Sequence, residues 1–273
     1  MRNSISLFSM ARIYCRNGLS VVLMDRVIFL IDIVLATSIT FLMQFLIWKF
    51  LYTQREESSI HGLSFSSLLS YYLYVICLNR FNNGYSVIDD LSFQIHSGRI
   101  ELGLIKPLYY PLQRLFDYLG GSLAYLPLAI IPVLWGFYTS AHALGLNDFL
   151  FVLNYLALLL LSQVLCFFIA FLVGQVTFKT EKRGLTLALY SSLAAFFGGV
   201  LLPAKFWPES FIILMESNPF YYTMGAIADY ASTRNLVDLQ TTYMGLTAYL
   251  IIFGSLSYFS WKRLTHDYKG LGG

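Results

Sequence analysis

A chain of 273 residues that is 57% hydrophobic and 17% aromatic but only 12% charged falls well below the roughly 25% charge of soluble domains. Together with a mean hydropathy of +0.64, this excludes a water-soluble enzyme or binding module and predicts an all-α membrane protein. The net charge of +3 makes no nucleic-acid surface.

Residues 1–26 mix Ile5, Leu7, Phe8 and Ile13 with Arg2, Arg12, Arg16 and Arg26. The pattern predicts an interfacial arm lying on the inner membrane surface. It does not resemble a cleaved signal, because arginines interrupt it and the next apolar run is too long. Residues 27–51 predict the first span, against about 20 residues needed to cross. Asp32 lies near its start, and 33–51 nearly suffices to cross without it, so a headgroup-level carboxylate is the better reading than an ion-coupling one. A polar loop at 49–61 leads to a second span at 63–80.

Residues 89–114 differ in kind. Apolar Leu91, Ile95, Leu102 and Ile105 alternate with Asp89, Asp90, Arg99, Glu101 and Lys106. In the hydrocarbon centre each charge costs about 2.5–3.5 kcal/mol on the insertion scale, so this stretch belongs in water or at the interface. There it offers a partner both apolar and charged groups.

The third span is expected at 115–138, interrupted by Pro127 and Pro132, which neighbouring helices make tolerable in a membrane. The fourth is expected at 149–178, long enough to tilt, and ends in the charged turn Lys179-Thr-Glu-Lys-Arg183. The fifth covers 184–202. Residues 203–240 carry Pro203, Pro208 and Pro219 around an apolar run at 211–215 that is too short to span, which suits a re-entrant or interfacial hairpin. Within it Asn218-Pro219 reads as an N-cap followed by proline at the first helical position, opening a helix through Tyr230. The sixth span is expected at 242–261.

With six spans and an inward N-terminus, fourteen of the eighteen Lys and Arg residues fall on one side. The exceptions are Lys49, Arg55, Lys205 and Arg234. This bias predicts both termini and residues 89–114 to be cytoplasmic, with 203–240 outside.

No segment outside the spans approaches the roughly hundred residues of a catalytic domain. No GxxxxGK[ST], HExxH or GxSxG occurs, and His61, His96, His142 and His266 are dispersed. Cys15, Cys77 and Cys166 show neither CxxC spacing nor a nearby His and read as small apolar residues. No metal site is expected. The polar residues within spans include Gln44, Asn154 and Gln163, without a chain of carboxylates for proton relay, which counts against a secondary carrier. A lipid-modifying enzyme would have to rely on Asp89, Asp90 and His96, a set that reads better as a solvated helix end.

Three passages carry a family resemblance. Ile95-His-Ser-Gly-Arg-Ile-Glu-Leu-Gly-Leu-Ile-Lys-Pro-Leu108, Phe178-Lys-Thr-Glu181, and Gly198-Gly-Val-Leu-Leu-Pro-Ala-Lys-Phe-Trp-Pro208 followed by Asn218-Pro-Phe220 resemble conserved stretches of ABC-2-type ATP-binding-cassette permeases. The likeness covers essentially the whole chain as a single transmembrane domain. Within the family the pattern is similar to bacterial inner-membrane permeases encoded as two unlike subunits with one ATPase. Lys179 departs from the tryptophan usual there.

The resemblance implies a non-catalytic export subunit with no cofactor of its own. ATP and Mg²⁺ would bind separate cytoplasmic ATPase subunits, and a second permease subunit, identical or unlike, would complete the path through the membrane lipid. It further implies a coupling element made of Ile95, Gly98, Arg99, Ile100, Glu101, Leu104, Lys106 and Pro107. In it Arg99 and Glu101 are expected to supply charge pairs, with Ile95, Ile100 and Leu104 as apolar anchors. Phe178, Glu181, Lys182 and Arg183 would form a second cytoplasmic contact. Pro203, Phe206, Pro208, Pro219 and Phe220 would form an outer gate.

Overall fold

Inside a bilayer every backbone N–H and C=O must be satisfied within the protein, so long apolar runs fold as helices. The computed structural model is built of them and describes residues 7–55, 59–60, 62–140, 145–178, 180 and 182–267.

Helix α1 (Leu7–Val22) is the arm. Its apolar Phe8 and Ile13 and its basic Arg12 and Arg16 are all exposed. Helices α2 (Arg26–Ile31) and α3 (Thr37–Arg55) are joined by one π-helical turn, Asp32–Ala36, into a single rod. Asp32 sits in that turn and meets Arg80 at 3.6 Å. A two-stranded hairpin, β1 (Ser59–Ile60) against antiparallel β2 (Leu63–Ser64), precedes α4 (Phe65–Phe81), which Ser64 caps through the amide of Ser67. After Asn82 and Asn83 come α5 (Gly84–His96), the short α6 (Ile100–Leu104) and α7 (Tyr110–Ser122). A 3₁₀ turn, Leu123–Tyr125, connects α7 to α8 (Leu126–Ser140). The long α9 (Leu146–Gln175) ends in a second 3₁₀ turn, Val176–Phe178, ahead of α10 (Arg183–Phe197). A 3₁₀ turn at Ala204–Phe206 precedes α11 (Glu209–Glu216), α12 (Pro219–Thr223), α13 (Gly225–Thr233) and the closing α14 (Leu236–Asp267).

Four helical stretches among the described residues are long and apolar enough to cross a membrane: Arg26–Gln54, Tyr110–Tyr138, Leu146–Phe178 and Leu236–His266. They correspond to the expected first, third, fourth and sixth spans. The expected second and fifth coincide with α4 and α10, which have 17 and 15 residues. The architecture is an all-α membrane protein.

The core forms around α9, where Leu158, Phe167, Ala170 and Phe171 are completely buried. Helix α5 lies against its second half, with Ile88 and Leu91 seated at Gly174. This packing corrects the boundaries of the expected loop 89–114. Val87, Ile88 and Leu91 recur at helical spacing and are buried, so residues 89–96 complete a packed helix, and 110–114 open another. Only 97–109 lies between them.

The chain breaks between α4 and α5 inside the core, and side chains satisfy the freed backbone. Gln163 donates to the carbonyl of Phe81 at 2.8 Å and to Asn82 Oδ1 at 2.7 Å. Asn82 donates onward to the carbonyl of Thr223, and Ser122 donates to Gln163 at 2.8 Å. Gln44 and Asn154 also serve the fold. Gln44 donates to the carbonyl of Val200 at 3.4 Å, and Asn154 accepts from the Tyr243 hydroxyl at 3.1 Å.

Candidate functional site

Helix α5 stops at Ser97, and Gly98 turns the chain with φ +69°. That left-handed conformation is where glycine carries no Cβ penalty. The turn redirects the chain into α6, whose five residues have Ile100 on the inner face, 1% exposed. Leu102, 62% exposed, and Ile105, 81% exposed, face away from it, and Leu104, 38% exposed, lies at the edge between the two faces. Arg99, Glu101, Lys106 and Pro107 are exposed around these three. Arg99 lies over the Phe93 ring at 5.4 Å and Lys106 over the Tyr14 ring at 5.7 Å. The result is a small apolar patch with a charged rim.

This patch has a rigid backing. Gln113, buried on α7, donates to the carbonyls of Gly103 and Leu108, and its own carbonyl accepts from Tyr14 of α1 at 3.1 Å. Tyr110 donates to Gln94 at 2.8 Å and stacks on Trp261 of α14, with ring centroids 4.9 Å apart and planes 8° apart. The arm is held as firmly. A Cβ at Gly18 would strike the carbonyl of Asp117, and one at Gly120 the backbone of Cys15. Only bare backbone lets α1 and α7 cross so closely.

The placement of Ile100 corrects the sequence expectation. The sequence pattern makes it an anchor facing a partner, but helical spacing puts it and Gly103 on the side that packs inward. Ile95 is likewise half-buried against the core. The apolar surface on offer comes from Leu104 together with Leu102 and Ile105. Leu102 and Ile105 were legible as alternating apolar residues, but a five-residue helix is too short for periodicity to reveal its outward face.

Of the expected second contact, Glu181 lies outside the described residues. Phe178 packs edge-on against Trp261 at 6.1 Å and so belongs to the same aromatic backing as Tyr110. Lys182 is exposed at the start of α10. Arg183 forms a hydrogen-bonded ion pair with Asp89 of α5, which ties the turn after α9 to the helix that leads into the patch. Asp90 lies 3.7 Å from Arg114, which also pairs with Asp117. With both aspartates engaged by arginine and His96 exposed, no acid-base pair for lipid chemistry is assembled here.

The residues expected at the gate divide over one region. Pro203 is buried at the start of the Ala204–Phe206 turn, and Phe206 meets the buried Trp48 at 4.7 Å. Pro208 is exposed and opens α11. Asn218 caps α12 by accepting from Tyr221 N at 2.9 Å, with Pro219 in the first turn, as its sequence predicts. The helix does not run through to Tyr230: it breaks at Met224, where Gly225 approaches the Gly198 carbonyl. Phe220 meets Tyr190 of α10 at 5.8 Å.

The same region contains an ion pair, buried on its carboxylate side, that sequence reasoning missed. Lys205 approaches Asp229 of α13 at 3.4 Å, and Tyr221 donates to Asp229 at 2.7 Å. Burial pushes the Asp229 carboxyl above its ordinary 3.8, against the pull of Lys205 and the Tyr221 hydroxyl. No local motif marks this pair, because its members are 24 residues apart in sequence. Arg234 ends α13 in a left-handed conformation, φ +55°. It bonds Asp148 at 2.8 Å and lies over the Phe151 ring at 4.5 Å. Among the described residues no group of three His, Cys, Asp or Glu is arranged to hold a metal ion.

No curated protein matches the chain. A family model described as "ABC-2 family transporter protein" matches residues 38–272, which includes the patch, both turns around α10 and the broken segment before α14. That match spans most of the chain, and the protein belongs to the ABC-2 family of transporter proteins, the membrane permeases of ABC transporters.

Proposed function

We propose that the chain is the permease subunit of an ATP-driven exporter. It would dock cytoplasmic ATPase subunits through α6 and pair with a second permease subunit, identical or unlike. Six spans fit this reading, with α4 continued by α5 and with α10 as a short fifth span. Both termini and α6 then face the cytoplasm, and α11–α13 form the outer gate segment, in a bacterial inner membrane.

The carrying observation is the patch on α6. Three apolar side chains rimmed by Arg99, Glu101 and Lys106 stand on a stiff backing, in the longest charged stretch between apolar runs. Interface energy concentrates in a few central apolar or aromatic anchors while rim charges add little, and this arrangement suits such a role. Exposed Leu185, Leu189, Leu193 and Phe196 along α10 supply a face for a second subunit or for lipid.

The test is co-expression with an ATP-binding-cassette ATPase. The permease purified alone should hydrolyse no ATP above an empty-membrane control, and the ATPase should co-purify with it and be stimulated by it. Hydrolysis by the isolated chain would sink the reading.

A further inference from the structure

Helix α1 lies where two membrane-crossing stretches begin. Tyr14 donates to Gln113 near the start of Tyr110–Tyr138, and the helix ends at Val22, just before Arg26–Gln54. Along the way Asn17 donates to Asp117 at 3.3 Å and Val22 lies against Gly121. Touching both starts, α1 sits at one membrane surface, beside α6. Its packed face is Cys15, Gly18 and Val22 against α7. The outward face is divided. Arg12 and Arg16 are exposed one turn apart, with exposed Phe8 a turn before them. Ile13 and Val21, also exposed, stand about 100° or more round the helix from the arginines. One basic edge and one apolar edge are the pattern of a helix seated at a lipid surface.

The basic edge lacks protein partners. Residues 7–22 contain neither Asp nor Glu, and neither arginine forms an ion pair among the described residues. Of the carboxylates beside the arm, Asp117 is engaged by Arg114 and Asn17, and Asp25 stands past the end of α1 next to Arg26. We infer that α1 is a binding surface for anionic phospholipid of the leaflet at which it lies. Two guanidinium groups about 6 Å apart on the helix bracket a lipid phosphate, while Ile13 and Val21 meet the acyl region. A zwitterionic headgroup brings its own cation to the same place, so net-negative lipid is preferred. Tyr14 ties this surface to Gln113, which also holds α6, so bound lipid braces the docking patch. That consequence rests on the docking proposed for α6; the lipid preference does not.

The experiment uses the full chain in phosphatidylcholine nanodiscs. Bimane on Ser20→Cys, in a variant lacking Cys15, Cys77 and Cys166, reports adjacent lipid through quenching by doxyl-labelled phosphatidylglycerol or doxyl-labelled phosphatidylcholine. Two arginines near an anionic headgroup support a preference of about tenfold or more for phosphatidylglycerol. The preference should fall to near unity in Arg12→Gln/Arg16→Gln. It should persist in Arg12→Lys/Arg16→Lys, which keeps the charge, and in Lys262→Gln/Arg263→Gln, which removes two exposed charges from α14. All these positions are exposed, so each variant should melt with its parent. Equal quenching by the two lipids in the parent, or a preference that survives Arg12→Gln/Arg16→Gln, would overturn the inference. So would loss of ATPase co-purification in that variant without any lipid preference in the parent, which would assign the face to the ATPase. In the complex with an ATPase, phosphatidylglycerol should raise stimulation in the parent but not in the glutamine variant. A lipid preference without that rise would sink the brace to α6 and leave the lipid surface standing.

Discussion

Asp229 shows how a single buried carboxyl shapes the segment between α10 and α14. Its proton is held more tightly in the folded chain than in the unfolded one, because burial disfavours the charge more than Lys205 and Tyr221 favour it. The stabilisation from that proton is complete below the ordinary pKa of 3.8 and is lost as pH rises through the raised folded value. Asp229→Asn removes the titration, keeps an acceptor for Tyr221 and leaves Lys205 in a site that is 39% exposed. The variant should therefore gain thermal stability relative to the parent as pH rises from about 4 to about 7. A melting series in which the parent gains instead would show that Lys205 dominates. Arg234 makes the opposite case. It occupies a left-handed position that costs an ordinary residue about 1 kcal/mol, and it is retained by Asp148 and two aromatic rings. Arg234→Ala keeps the strain and removes one partner of a carboxylate that is 9% exposed and still accepts from the Gly145 amide, so a loss of about 1–3 kcal/mol is expected. Arg234→Lys should recover part of it, as read by thermal unfolding in detergent.

At the scale of elements, α6 separates folding from docking. Ile100→Asp buries a charge in the fold and should lower yield and melting temperature before any partner is involved. Leu102→Asp and Ile105→Asp alter only exposed positions and should leave melting unchanged while abolishing ATPase co-purification. A Leu102→Asp/Ile105→Asp double variant that still couples ATP hydrolysis to transport would mean that the patch is not the docking site. The helices themselves were legible because long apolar runs have one solution in a bilayer, and Asn218-Pro219 was legible because capping is local chemistry. The break at Asn82 was not legible. It depends on Gln163, 81 residues further on, supplying hydrogen bonds that no local pattern announces. Nor was the inward turn of Ile100, which is set by the packing of Tyr110 and Gln113 beneath it.

For the whole molecule, the distribution of lysine and arginine predicts which face is outside. Glu209 on α11 and Arg99 before α6 are both exposed. In a variant lacking Cys15, Cys77 and Cys166, a cysteine at 209 should react with a membrane-impermeant maleimide added to intact cells, and one at 99 only after lysis. Labelling in the reverse order would invert the topology and with it the proposed docking side. The two faces are joined by one element. Helix α14 has 32 residues, a rod of about 48 Å at 1.5 Å per residue. Near one end Trp261 carries the stacked Tyr110 behind the α6 patch. Towards the other, Gly245 lies against Tyr222, Thr242 donates to the carbonyl of Ala226 at 3.3 Å, and Tyr249 bonds the carbonyl of Ser217. Such a rod is a mechanical lever: a tilt of about 5° displaces its far end by about 4 Å. If an ATPase acts on α6 as proposed, a tilt of this rod would carry its motion to α11–α13 as a rigid swing.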